Sequence, residues 1–112
     1  MCGNELVGRQ VNLRGPDPNL FGAPAAAVIR ATDPTSRALL LEFMSPIQIG
    51  GNTYPFAVAS PRLQCDDWKV LISSGRLPCA VTFVPRDRYD PEKPFDLSWW
   101  RGGGAALADL VL

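Results

Sequence analysis

The sequence offers few side chains that could carry out catalysis, because it contains no histidine. Imidazole is the side chain that titrates closest to neutral pH, and it activates the nucleophile in Ser-His and Cys-His pairs. Any catalysis would therefore depend on carboxylates or on tyrosine. We expect no catalytic residues, and we expect that the protein is not an enzyme.

Glu42 is the best candidate for such a carboxylate, since it is the only charged residue in the run Ala38–Met44. A carboxyl group among apolar neighbours can act as a general acid, because desolvation favours its protonated form. The alternation of the run places Leu39 and Leu41 on one face of a strand and Glu42 on the other. We therefore expect Glu42 to lie on the outer, solvated face.

Metal ligands are equally scarce. Cys2, Cys65 and Cys79 share no C-x-x-C spacing, so neither a zinc site nor a disulfide framework is indicated. Three carboxylates lie within residues 87–92, but arginine and lysine neighbours oppose a cation there. The sequence predicts no metal, no cofactor, and buried cysteines that behave as small hydrophobes in a reducing cytoplasm.

Charge and hydropathy exclude two classes of partner. The 11 Lys and Arg balance the 11 Asp and Glu, whereas nucleic-acid binding depends on clustered positive charge. No stretch approaches the 18 consecutive apolar residues of a membrane span, and the first residues do not form a signal peptide. We expect a cytoplasmic protein that binds neither nucleic acid nor membrane.

The aromatic residues near the C-terminus are the strongest candidates for a binding surface. On a strand over residues 95–100, Trp99 and Trp100 would point to opposite faces, so that one is core and the other is exposed beside Arg101. Trp and Arg are over-represented among interface residues that contribute most to affinity. The leading hypothesis is a non-enzymatic binding or assembly module, a homodimer or the partner of another protein, that uses these three residues and an exposed strand edge.

The alternative hypothesis is a barrel that binds a small apolar ligand. In that case Tyr54, Phe56 and Trp68 would line an apolar, aromatic pocket.

The secondary-structure elements that position these residues are predicted to be short. The 11 prolines and 10 glycines divide the chain into pieces rich in Val, Ile, Leu and Phe with local alternation, which is typical of strands. The final segment, 105–112, suits a helix or a returning strand. The predicted strands cover 5–13, 25–32, 37–44, 46–49, 53–60, 78–84 and 95–100, with loops at 14–23 and 85–94.

Turn chemistry connects these strands. Residues 33–36, Asp-Pro-Thr-Ser, predict a hairpin turn, and Gly50-Gly51 predicts a second, tighter one. A helix is expected over 66–75, because Asp66 can cap its start and Gly75 can close its end. A strand over 69–73 is the competing interpretation.

Together these features predict one domain over 1–112, mainly β with α+β as the alternative. The architecture would be a small, partly open antiparallel barrel or a two-layer sandwich of about six to eight strands with one internal helix.

The absence of metal-ligand spacing is directly testable. Dialysis against EDTA should leave the melting temperature unchanged, and elemental analysis of protein purified without chelator should find no stoichiometric zinc. A fall of many degrees would contradict this, because metal binding in a small domain contributes directly to folding free energy.

Overall fold

The computed structural model describes residues 6–15, 25–33, 35, 37–49, 51–61, 73–98 and 106–112. Each strand pairs antiparallel with the next along the chain, and the last pairs back with the first, so that the sheet closes into a barrel. The strands are β1 (Gln10–Arg14), β2 (Ala25–Asp33), β3 (Ala38–Ile49), β4 (Asn52–Pro61), β5 (Arg76–Val84) and β6 (Ala106–Val111), and a 3₁₀ turn at Arg86–Arg88 follows β5.

The predicted mainly β antiparallel barrel is thus confirmed, with full closure instead of a partly open sheet. Closure also decides against the sandwich alternative, which would have left two separate sheets. The ambiguous C-terminal segment is a strand, β6, because its backbone pairs with β5 on one side and with β1 on the other. These pairings satisfy both edges of β6 at once.

The barrel interior is filled by alternate side chains of all six strands. Small residues lie beside large ones: in the strand register, Ala57 is flanked by Leu41 and Phe83, which lets a narrow barrel pack without voids. No polar or charged residue is buried in the described part of the chain. The buried interior residues are Leu6, Val11, Leu13, Ala27, Ile29, Leu39, Leu41, Phe43, Ala57, Ala59, Leu77, Cys79, Val81, Ala108 and Leu110.

A second apolar cluster lies on the outside of β3 and β4. Leu40 and Val58 are buried there, and Phe56, Tyr89 and Phe95 pack against it. The segment after β5, residues 85–98, therefore covers the outer face of these two strands. This explains why β3 can be apolar on both faces, with three consecutive leucines at positions 39–41.

Both predicted hairpins are confirmed. In the first, the side-chain Oδ1 of Asp33 accepts a hydrogen bond of 3.1 Å from the backbone N–H of Thr35. In the second, Ile49 pairs with Asn52 across a two-residue turn, and Gly51 has a φ of 82°. Residues other than glycine rarely adopt this left-handed backbone conformation, so glycine suits the position.

One predicted strand, 95–100, is wrong for its described residues 95–98, which form turns. The side-chain Oδ1 of Asp96 accepts a 3.0 Å hydrogen bond from the backbone N–H of Ser98. Such local bonds compete with strand pairing. Hydrogen bonds from the Ser98 backbone and hydroxyl also hold the pKa of Asp96 below its usual value.

Other boundaries differ less. The predicted strand 5–13 begins only at Gln10, because residues 6–8 form a turn that the Arg9 N–H closes with a 3.0 Å hydrogen bond to the Leu6 carbonyl. The predicted strands 37–44 and 46–49 are one strand, β3, with a register shift between Glu42 and Ile47.

Some predictions fall outside the described residues. This applies to most of the predicted loop 14–23 and to residues 66–72 of the predicted helix. At the end of that helix, Ser73 and Ser74 are helical and Gly75 has a φ of 74°, the conformation expected of a closing glycine.

The filled interior predicts the cost of removing a core side chain. Leu41→Ala should lower the free energy of unfolding by about 2–5 kcal/mol, because it loses buried apolar surface and leaves a cavity. Met44→Ala, three residues further along the same strand but exposed, should change it by less than about 0.5 kcal/mol. Urea unfolding of both variants measures the difference, and equal effects would contradict the described packing.

Candidate functional site

The longest strands, β3 and β4, extend beyond their neighbours at one end of the barrel. The pairing of β2 with β3 ends at Phe43, and the pairing of β5 with β4 ends at Phe56. Residues 44–49 and 52–55 therefore continue as a two-stranded projection, here called the β3–β4 ribbon. Within the described strands, it is the part of the sheet where two strands pair with each other and with nothing else.

The ribbon carries a proline on each strand, and their positions have a physical reason. In a hairpin with a two-residue turn, the two residues that flank the turn form backbone hydrogen bonds with each other. The next pair, Gln48 and Thr53, points its backbone N–H and C=O groups away from the partner strand. Pro46 and Pro55 follow these residues on the two strands, where the regular pairing gives way to the register shift between Glu42 and Ile47. Proline has no N–H to donate, so each strand of the ribbon lacks one backbone donor there. We expect this to hinder the addition of a further strand.

Aromatic rings anchor the base of the ribbon to the barrel. The ring of Phe83 lies 6.1 Å from the ring of Phe43 and 5.6 Å from the ring of Tyr54, measured between centroids. Ile47, opposite Tyr54 in the register, also packs against the barrel interior. These contacts fix the direction in which the ribbon projects.

A cleft of about 600 Å³ lies beside the ribbon. One wall is the β4 strand of the ribbon and the other is the start of the 3₁₀ turn. Its polar groups both donate and accept hydrogen bonds, and Tyr54 adds an aromatic surface. Its lining residues are Asn52, Thr53, Tyr54, Pro85, Arg86 and Asp87.

The structure separates the two described residues of the predicted ligand pocket. Tyr54 contacts Phe83, which packs against the barrel interior, whereas Phe56 stacks on Tyr89 at 3.9 Å in the outer cluster. The two side chains therefore contact different aromatic rings. The third, Trp68, lies outside the described residues.

The predicted interface residues Trp99, Trp100 and Arg101 also lie outside the described residues. The segment that leads into them, 95–98, forms turns. The described residues therefore do not form the start of the predicted strand, whose alternation was expected to point the two tryptophans in opposite directions.

Glu42 confirms the interpretation of a solvated strand face. Its Oε1 accepts a 2.7 Å hydrogen bond from Nε of Arg30 on the neighbouring strand, and its side chain is 39% exposed. An exposed ion pair of this kind contributes little to stability. Nothing in this arrangement presents Glu42 as a general acid.

Cys79 likewise confirms its expected role as a small buried hydrophobe. It is fully buried, and its thiol donates a 3.4 Å hydrogen bond to the carbonyl of Ala108. Cys2 and Cys65 lie outside the described residues. Among the side chains that are described, no three His, Cys, Asp or Glu groups lie close enough together to hold a metal ion.

The ribbon and its cleft were missed in the sequence, although one signal was present. Pro46 lies four residues before Gly50 and Pro55 lies four residues after Gly51. Symmetric prolines about a tight turn indicate a hairpin whose outer edges are both free.

Comparison with known proteins adds no relationship: no family model, no curated protein and no solved structure matches this chain. In the part of the chain that is described, no helix has both the length and the apolar character needed to cross a bilayer.

The protective role of the prolines can be tested by restoring an N–H donor. Pro46→Thr should fold normally but self-associate increasingly with concentration, because it restores a backbone N–H donor on a strand of the ribbon. Ser45→Thr is the matched control, since it places threonine at the adjacent position without adding a donor to the chain. Light scattering that shows both variants to be equally monodisperse would contradict the role of Pro46.

Proposed function

We propose that this protein is a non-enzymatic binding module that contacts another protein through the β3–β4 ribbon and the cleft beside it. The observation that carries the proposal is the ribbon itself, a projection held by aromatic contacts to the barrel, with an open cleft of about 600 Å³ beside it. Because loops and projections on a rigid scaffold are where binding residues concentrate, the ribbon is the natural contact surface.

The side chains on this surface support protein binding. Met44 is 61% exposed at the start of the ribbon, and Tyr54 and Arg86 line the cleft. Methionine, tyrosine and arginine are enriched at protein interfaces relative to the rest of the surface. With its outer edges protected by proline, the ribbon would bind through these side chains and not by adding a strand.

The competing function, a barrel with an internal apolar ligand pocket, has less support. Its described pocket residues, Tyr54 and Phe56, contact different rings. The interior positions of the described strands are occupied by buried side chains, whereas ligand-binding barrels keep part of their interior open.

A homodimer is the assembly we propose first, because a twofold contact uses the same surface patch on both copies. Barrel closure changes how such a dimer would form. The exposed strand edge expected from the sequence is paired in the barrel, so the contact would be made by ribbon and cleft side chains. A stable interface would need to bury about 1,000 Å² or more in total.

A cytoplasmic location is also part of the proposal. Cys79 is fully buried and packs as a small hydrophobe, and cysteines used in this way suit a compartment in which disulfides are rare.

Site-specific photo-crosslinking tests the contact surface. A photoreactive amino acid at Gln48, exposed on the ribbon, should give one discrete adduct in cells that express the protein. Thr35 is the matched control, because it is exposed on the β2–β3 turn, away from the ribbon. An adduct of twice 12.2 kDa would identify a second copy, and any other discrete mass would identify a different partner.

Loss of affinity then tests the individual side chains. Met44→Ala combined with Arg86→Ala should weaken the captured interaction by about 2 kcal/mol while leaving the fold intact. Adducts from Thr35 as abundant as those from Gln48, or none from either position, would overturn the proposal.

A further inference from the structure

We infer that a second cleft, formed by β1, β5 and β6, binds a small organic carboxylate. This cleft has a volume of about 570 Å³, and its lining residues include Arg14, Arg76 and Asp109. It lies on different strands from the ribbon and does not depend on the proposed protein contact. Its size falls within the range of small-molecule sites in proteins.

The charged groups of this cleft come from three adjacent strands. In the register, Arg14 on β1 lies directly opposite Asp109 on β6. From the other side, Nη2 of Arg76 on β5 donates a hydrogen bond to Oδ2 of Asp109. The carboxylate of Asp109, 23% exposed, thus lies between two guanidinium-bearing strands, and the three groups together carry a net charge of +1.

Arg76 is held in position by two independent sets of contacts. The hydroxyl of Ser74 donates a 2.8 Å hydrogen bond to the Arg76 carbonyl and accepts one of 3.3 Å from its backbone N–H. Asp109 then restrains the guanidinium through one of its five N–H donors. The Arg76 side chain remains 64% exposed, so its other donors are accessible to a ligand without the full entropic cost of ordering a free arginine.

Arg14 supplies the second positive charge. It is exposed at the end of β1 and forms no ion pair with any described residue. Arginine binds carboxylates through parallel N–H donors that match the two oxygens. An anion in the cleft can therefore bond to Arg14 and to the remaining donors of Arg76.

The charge and lining of the cleft favour one ligand class. A monoanion offsets the net charge of +1, whereas a dianion such as phosphate would leave the occupied cleft with a net charge of −1. The half-buried side chains of Pro78 and Val111 also line the cleft. They provide an apolar surface for the hydrocarbon part of an organic carboxylate.

Titrations followed by amide NMR spectra test this site. Sodium hexanoate should produce saturable shifts at Arg14, Arg76 and Val111, and it should bind several-fold more tightly than acetate because its chain covers Pro78 and Val111. Sodium chloride at equal ionic strength should produce no saturable shift. Inorganic phosphate binding more tightly than hexanoate would overturn the assignment to a carboxylate.

Charge-removing variants complete the test. Arg14→Gln and Arg76→Gln should each weaken hexanoate binding by about tenfold, the scale of one charge-assisted hydrogen bond. Arg30→Gln is the matched control and should bind as the unmodified protein does, because it removes an arginine of another exposed cross-strand ion pair, outside the cleft. If Arg14→Gln, which leaves the Arg76–Asp109 pair intact, binds hexanoate as tightly as Arg30→Gln, the inferred site is wrong.

Discussion

The pairing of β6 with both β1 and β5 is the contact on which the rest of the structure depends. It joins residues 12–14 to residues 109–111, so the two ends of the described chain meet in one seam. Without it, β1 and β5 would each present a row of unpaired backbone groups to water. The interior leucines of those strands, Leu13 and Leu77, would lose their enclosure at the same time. Hydrogen bonding and apolar burial in this barrel therefore depend on one another.

Closure also determines where the protein can interact with other molecules. A six-stranded barrel is narrow, and here its interior positions carry buried side chains, so both proposed contact surfaces lie on its outside. Part of that surface is covered by residues 85–98, which pack Tyr89 and Phe95 over β3 and β4. The ribbon and the arginine-lined cleft remain accessible. The ribbon results from strand length and the cleft from strand register. Neither requires a buried polar group.

Local chemistry made much of the fold predictable from the sequence. The Asp33 and Gly51 turns specify hairpins through interactions within a few residues, and alternation over 38–43 correctly assigned the inner and outer faces of β3. The prediction for 95–98 was wrong because local hydrogen bonds, from Ser98 to the Asp96 carboxylate and from the Asp96 N–H to the Lys93 carbonyl, replace strand pairing in a segment with a strand-like pattern. The strand at 106–111 was ambiguous because its conformation is decided by partners distant in sequence.

The candidate sites were harder to predict for the same reason. The ribbon exists because β3 and β4 extend further than their neighbouring strands. It therefore depends on the lengths of four strands together. Arg14, Arg76 and Asp109 are far apart in the sequence and meet only through the barrel register. Of the predicted pocket residues that the structure describes, Tyr54 lines one of these clefts.

Cys79 gives this barrel a built-in reporter of its own motions. Its side chain points into the interior at the centre of β5, with the paired strands β4 and β6 on either side. A thiol reagent can reach the sulfur only when the wall of the barrel separates, since the side chain is fully buried. The rate of labelling at this position therefore depends on how often the strands separate. Labelling of this one sulfur atom thus reports the free energy of opening the sheet around it.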